Sequence, residues 1–287
     1  MTSQGANQSF IERLEAMQVR RNSLLCIGLD PDVRHLPPQF GSTPSAVLAF
    51  NKAIIEATHD LVCAYKLNLA FYEALGYQGW SVLEQTLTAI PPDILTIGDG
   101  KRADIGNTSG KYATALFDEC TFGAVTVHPY MGFDSLEPFL ARSDRGVFIL
   151  ALTSNPGSRD FQRLKVGTTP LYQRVIRSAR KWNTLGNVGL VVGATHPREL
   201  KTARALAPEL PILIPGIGSQ GGDLEASVRS GVTARGTRAL INVGRSVLYA
   251  GRGESFASDA RREALAVHTA INSIRTRLPA TRQASAR

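Results

Sequence analysis

The segment Gly98–Thr108, GDGKRADIGNT, places Asp99, Lys101, Arg102 and Asp104 within six positions, directly after the apolar run DILTI. Alternation along an extended chain puts Leu95, Ile97, Asp99 and Lys101 on one face. The first two side chains suit a core, and the next two bring an acid and an ammonium to its rim. Lys66, which alternation places on one face with Val62 and Ala64, would reach the same place. Opposite charges in the order Lys–Asp–Lys–Asp keep one another ionised at neutral pH. Held out of water, they form a preorganised field that contains a proton donor. The bare pattern also fits an ion pair that merely caps a core, although two lysines and an aspartate are costly to dehydrate unless fully paired.

Eight short apolar runs position these groups: SLLCIGLD (23–30), LVCAYKLN (61–68), ILTIGDGK (94–101), AVTVHPY (124–130), GVFILALTSN (146–155), VGLVVGAT (188–195), PILIPGIG (211–218) and RALINVGRS (238–246). Each reads as a buried parallel strand. Helical candidates lie between them, among them residues 45–60, 171–185 and 197–207, and residues 258–276 close the chain. Ser9 with Glu12 is a capping box that opens an extra N-terminal helix. This alternation predicts an α/β fold, a (β/α)₈ TIM barrel with an extra N-terminal helix, ahead of an open doubly wound sheet. No linker or composition break divides the chain, so one domain is expected over 1–287, with a core of about 23–250 and a flexible tail from about 277.

Polar residues gather at the C-terminal ends of separate runs, where barrels build their sites. They are Asp30, Lys66, Asp99 with Lys101, His128, Thr153 with Ser154, the glycine-rich GIGSQGG, and Gly244 with Arg245. Such clustering favours a shared pocket over isolated loop residues. The stretch after the seventh run, PGIGSQGGD, supplies backbone N–H groups at a helix start, and Arg245 adds a bidentate donor, together a phosphate site. Gly216, Gly218 and Gly221 also spell the dinucleotide fingerprint. That reading fails, because no acidic residue occurs from Ala226 to Arg252 and the string does not follow the first strand.

Composition narrows the setting. The net charge of +8 is concentrated at the C-terminal end, where ten arginines from Arg235 to Arg287 face three acids, Glu254, Asp259 and Glu263. Without interleaved aromatic residues for stacking, this reads as a solvated helix face and tail, not as a nucleic-acid surface. Cys26, Cys63 and Cys120 are widely spaced and read as reduced thiols. No apolar run approaches a bilayer span and no signal segment opens the chain, so a cytoplasmic protein without membrane contact is expected.

The motif Asp99-x-Lys101-x-x-Asp104-Ile105-x-x-Thr108, standing after a lysine on the second strand, resembles that of the orotidine 5′-phosphate decarboxylases. The likeness runs over all eight strands, about residues 23–250, with the proportions of the longer bacterial branch. Gly100 and Ala103 stand where many relatives have Ala and Gly. Related metal-dependent sugar-phosphate enzymes share D-x-K-x-x-D but carry a glutamate where this chain has Lys66. The resemblance therefore implies decarboxylation of orotidine 5′-phosphate to uridine 5′-phosphate in pyrimidine biosynthesis, with no cofactor or metal. It implies that Lys66, Asp99, Lys101 and Asp104 form the charged array. Asp104, Ile105 and Thr108 would reach the partner's site in a homodimer. Asp30 and Lys66 would hold the ribose, Ser154 the pyrimidine edge, and Gln220 and Arg245 the phosphate, assisted by the backbone at Gly244. Lys101 would stabilise and protonate the C6 carbanion. The Gln220 loop and residues 154–170 would act as lids. His128 is left as a pocket-lining candidate. Competing expectations are a magnesium-dependent sugar-phosphate lyase on the same barrel, a catalytically silent nucleotide-binding protein and, last, nucleic-acid binding through the basic C-terminal end.

Overall fold

A computed structural model describes residues 9–218 and 221–278. Eight parallel strands close on themselves: β1 (Leu25–Gly28), β2 (Ala64–Asn68), β3 (Leu95–Arg102), β4 (Ala124–Val127), β5 (Gly146–Leu152), β6 (Val188–Val192), β7 (Ile212–Pro215) and β8 (Ala239–Val243). β8 pairs with β1, so Cys26 lies beside Asn242 on one side and Ala64 on the other. Helices return the chain between strands, as the alternation of buried runs and amphipathic segments requires. Among them are Pro44–Thr58, Leu171–Trp182 and Pro197–Leu206, each within three residues of the boundaries expected from sequence. Strands β1, β4, β6 and β8 are buried along their whole length, because they are covered inside by the barrel and outside by helices.

The extra helix, Phe10–Arg21, closes the N-terminal end of the barrel. Its capping box is present in both directions, Ser9 N to Glu12 Oε2 at 2.9 Å and Glu12 N to Ser9 Oγ at 3.3 Å. Phe10 packs edge-on to Phe148, in space left by Gly146, where a Cβ would lie 2.3 Å from the Phe10 ring. Gln18, fully buried, bonds Ala239 O (2.7 Å) and accepts from Arg238 N (2.8 Å), tying the helix to the start of β8. Glu15 pairs with Arg238 and accepts from Thr237 Oγ1. Part of the C-terminal arginine excess is thus neutralised inside the fold. Arg261 and Arg262 pair with Asp60 and Asp259 at the surface. The distal tail, from Pro279, lies outside the described residues. Cys26 and Cys63 are buried, Cys120 is partly buried, and all three are free thiols. Among the described residues no helix is long and apolar enough to cross a membrane.

Candidate active site

The charged array assembles at the C-terminal mouth. Lys66 is 3% exposed and lies between two carboxylates, with Nζ 3.0 Å from Asp99 Oδ2 and 3.4 Å from Asp30 Oδ1. Lys101 Nζ reaches Asp99 Oδ1 at 2.6 Å while its side chain remains about half open to the cavity. Burial alone would push the Lys66 ammonium down, but Asp30 and Asp99 outweigh it and raise its pKa. Burial would likewise push the Asp99 carboxyl up, and Lys66 and Lys101 reverse this, holding it well below the usual carboxylate range. Asp99 therefore stays an anion and Lys66 a cation at neutral pH.

The strict alternation expected through Lys101 does not hold. From Gly98 to Arg102 β3 advances four positions while β4 advances two, Val125 to Val127, and Lys101 takes a left-handed φ of 49°. This irregular turn still brings Lys101 back to Asp99. A non-glycine residue there stores strain on the order of 1 kcal/mol. Its backbone N–H is satisfied by Thr126 Oγ1 at 3.1 Å, and Thr126 in turn donates to Asp99 Oδ1 at 2.8 Å. Arg102 faces away, pairing with Glu73 and lying 5.6 Å from the Tyr112 ring centre.

A cleft of about 310 Å³ opens above the array, and its walls come from several strands. Asp30, Lys66, Asp99, Lys101, Ser154, Gly244 and Arg245 line it, so the structure brings together seven of the residues expected from sequence. Ser154 is set by close packing, since a Cβ on Gly193 would lie 2.8 Å from its backbone. The preceding Thr153 is clamped by two neighbours. Its N–H donates to Gln162 Oε1 (2.7 Å), and its carbonyl lies 3.1 Å from His196 Nε2. Arg163 in turn contacts His196 Nδ1 at 2.9 Å and Glu199 at 2.5 Å. Residues 154–170, expected as a lid, hold a helical turn, Ser158–Phe161, and a two-stranded ribbon, and Gln162 between them bonds Thr153 just after β5. Gly216, Gly218 and Gly221 have φ of 105°, 80° and 75°, so their spacing reflects a left-handed loop beside Arg245. Gln220 lies outside the described residues.

Residues 23–259 match the model of the family described as Orotidine 5′-phosphate decarboxylase / HUMPS family. The chain belongs to this family. It is 50% identical over 272 residues to the orotidine 5′-phosphate decarboxylase of Dehalococcoides mccartyi strain BAV1, covering 93% of this chain and 99% of the relative. With the Thermomicrobium roseum enzyme of the same name the identity is 52% over 270 residues, covering 93% and 96%. The solved Leishmania donovani OMP decarboxylase superposes with a TM-score of 0.83 at 42% identity, covering 94% of this chain and all of that one. The UMP synthase of the same organism gives 0.85 at 43% identity, with this chain spanning 57% of its length.

Three residues of the decarboxylase motif stay outside this chain's own cleft. Asp104 is partly exposed and accepts from the N–H of Ile105 at 2.7 Å, Ile105 is 61% exposed, and Thr108 is exposed on the helix Gly106–Thr114. His128 does not line the cleft either, because β4 ends at Val127 and the chain leaves the barrel wall. Its inward neighbour Thr126 takes that place, and alternation in AVTVHPY was the signal for it. Asn68 and Asn242 also line the cleft. Asn242 was legible as the inward residue between Leu240 and Gly244, whereas Asn68 enters through its N–H bond to Asp30 Oδ1 (3.2 Å), a contact only the fold creates.

Proposed function

We propose that the chain decarboxylates orotidine 5′-phosphate to uridine 5′-phosphate and CO₂, with Lys101 as the cation that stabilises and then protonates C6. The observation that carries this reading is the contact chain Lys66–Asp99–Lys101, at 3.0 and 2.6 Å, opening into a cleft with one partly exposed ammonium. Breaking the C6–CO₂ bond leaves the electron pair in the ring plane, where the π system cannot take it up. A fixed positive charge beside C6 lowers that barrier. The proton passes from Lys101 Nζ to C6, and the neutral amine regains one from solvent. Asp99 holds Lys101 by a hydrogen bond and faces the departing carboxylate, and Lys66 fixes Asp99 from below.

Asp30 with Lys66 takes the ribose, Ser154 the pyrimidine edge, and Arg245 with Gln220 and the Gly244 backbone the phosphate. Arg245 suits the phosphate because it is exposed at the cleft and makes no ion pair among the described residues. Binding energy from the phosphate and sugar, remote from the reacting bond, then holds the carboxylate against the array. Asp104, Ile105 and Thr108 act in a second subunit's cleft, in a homodimer. The exposed apolar groups Ile105 and Tyr112 on this segment, and Tyr130, Met131 and Phe133 after β4, support such a contact.

A magnesium-dependent sugar-phosphate reaction is the weaker reading, because the Lys66 ammonium already engages both Asp30 and Asp99, the carboxylates a divalent ion would need, and Lys101 supplies the second positive charge. Loss of orotidine 5′-phosphate absorbance, followed with chelator present, tests the function. Undiminished turnover is expected for the wild-type chain. Lys101→Ala is expected to lose at least about 10³-fold in kcat, while uridine 5′-phosphate binding changes little. Near-normal turnover of Lys101→Ala would remove its assigned role.

A further inference from the structure

Several polar residues of the cleft lining, Asn68, Thr153, Asn155 and Asn242, have no part in the decarboxylation mechanism. Asn242, on β8, is 8% exposed and lines the cleft two residues before Gly244. Its Oδ1 accepts from Cys26 Sγ at 3.4 Å, across the β1–β8 pairing that sets the two residues side by side. Burial pushes the Cys26 thiol well up, so it remains protonated and acts as a donor. The amide is thereby oriented with its oxygen toward the sulfur. Its Nδ2 makes no hydrogen bond among the described residues. The amide nitrogen opens to the cleft and is free to donate to an occupant that bears an acceptor.

Gly28 leaves open space beside the Asn242 side chain. A Cβ there would stand 3.4 Å from Asp30 Oδ2, 3.6 Å from Asn242 Oδ1 and 3.6 Å from Gly244 Cα. The carboxylate and the amide therefore flank one bare stretch of backbone, between the Lys66 array and the Gly244–Arg245 end. In the nucleotide reading the ring lies toward Lys101 and the phosphate toward Arg245, leaving the sugar between them. Asp30 can only accept and Nδ2 can only donate. A hydroxyl group satisfies both, giving its proton to the carboxylate and receiving the amide proton on its oxygen.

We propose that Asn242, held in place by Cys26, is a further substrate-binding residue that recognises a ribose hydroxyl. The inference rests on the nucleotide reading of the cleft. The test compares inhibition constants of uridine 5′-monophosphate and its 2′-deoxy and 3′-deoxy counterparts, measured against orotidine 5′-phosphate turnover. In Asn242→Leu, uridine 5′-monophosphate is expected to weaken about tenfold, the loss of one hydrogen bond. One deoxy counterpart is expected to bind as it does to the wild type, so discrimination at that hydroxyl collapses. Cys26→Ala, which leaves every cleft-lining side chain in place, is expected to weaken the same discrimination by a smaller factor. Equal losses for all three nucleotides, or none, would overturn the proposal. If Asn242→Leu does not fold, the Cys26→Ala comparison decides, and full discrimination retained there overturns it. A wild-type chain that does not turn over orotidine 5′-phosphate would instead overturn the nucleotide reading, which keeps the two failures distinct.

Discussion

Asp99 is the residue on which the array turns. It receives Lys66 on one oxygen and both Lys101 and Thr126 on the other. Its carboxyl is held below the usual range, so its stabilising contribution is present above the ordinary carboxylate pKa of about 4 and is lost as pH falls below it. Lys66 works in the opposite sense: its raised pKa keeps its contribution through neutral pH and loses it only in strong alkali. Asp99→Asn leaves the buried ammonium short of one carboxylate, at a cost on the order of 3 kcal/mol at pH 7. Denaturant midpoints measured from pH 7 to 2 should show the gap between wild type and variant narrowing below about pH 4. A gap independent of pH would mean that Asp99 is not stabilised as an anion.

At the scale of elements, the site depends on where strands stop. The uneven advance of β3 against β4 turns Lys101 back to Asp99 and Arg102 outward to Glu73. β5 is held differently, by the segment that follows it. Gln162, on the helical turn after Ser154, fixes the Thr153 peptide, and His196 holds it from the loop after β6. This clamp makes residues 154–158 an anchored rim on the Ser154 side of the cleft. Gln162→Ala frees the Thr153 N–H. Hydrogen exchange over residues 153–170 is expected to accelerate while β1 and β8 stay protected, and KM for orotidine 5′-phosphate is expected to rise about tenfold for the lost positioning bonds. Unchanged exchange in that segment would show the clamp to be dispensable.

For the whole molecule, closure of the barrel between β1 and β8 is what brings Asp30 and Cys26 against Asn242 and Gly244. The N-terminal helix seals the opposite end through Phe10, Glu15 and Gln18, so the polar mouth and the plugged base are separate parts of the fold. The motif segment divides between the cleft and the outer surface. Asp99 and Lys101 turn in, whereas Asp104 and Ile105 turn out just before the helix that carries exposed Tyr112. If Asp104 acts in a partner's cleft, inactive Lys101→Ala and Asp104→Ala chains should complement when refolded together. Random pairing in equal amounts predicts about a quarter of wild-type activity, from the one site per mixed dimer that holds both groups. No recovery, with mixed dimers demonstrated, would confine Asp104 to its own subunit.

The sequence by itself determined the eight strands, the order of helices and the capped N-terminal helix, because hydrophobic period and capping are local properties. It also identified Lys66, Asp99 and Lys101, since charges that point inward at the ends of apolar runs are costly to bury unless they pair in a site. Tertiary structure alone decided which neighbours complete the array. Thr126 looked like an ordinary strand residue until the β3–β4 register placed it under Asp99, and His128 looked eligible until β4 ended one residue short of it. Asn242 and Cys26 lie 216 positions apart and meet only because the sheet closes. Alternation gives the face of a strand, but register, strand length and closure are set by packing across the whole barrel, and these fix which side chains touch.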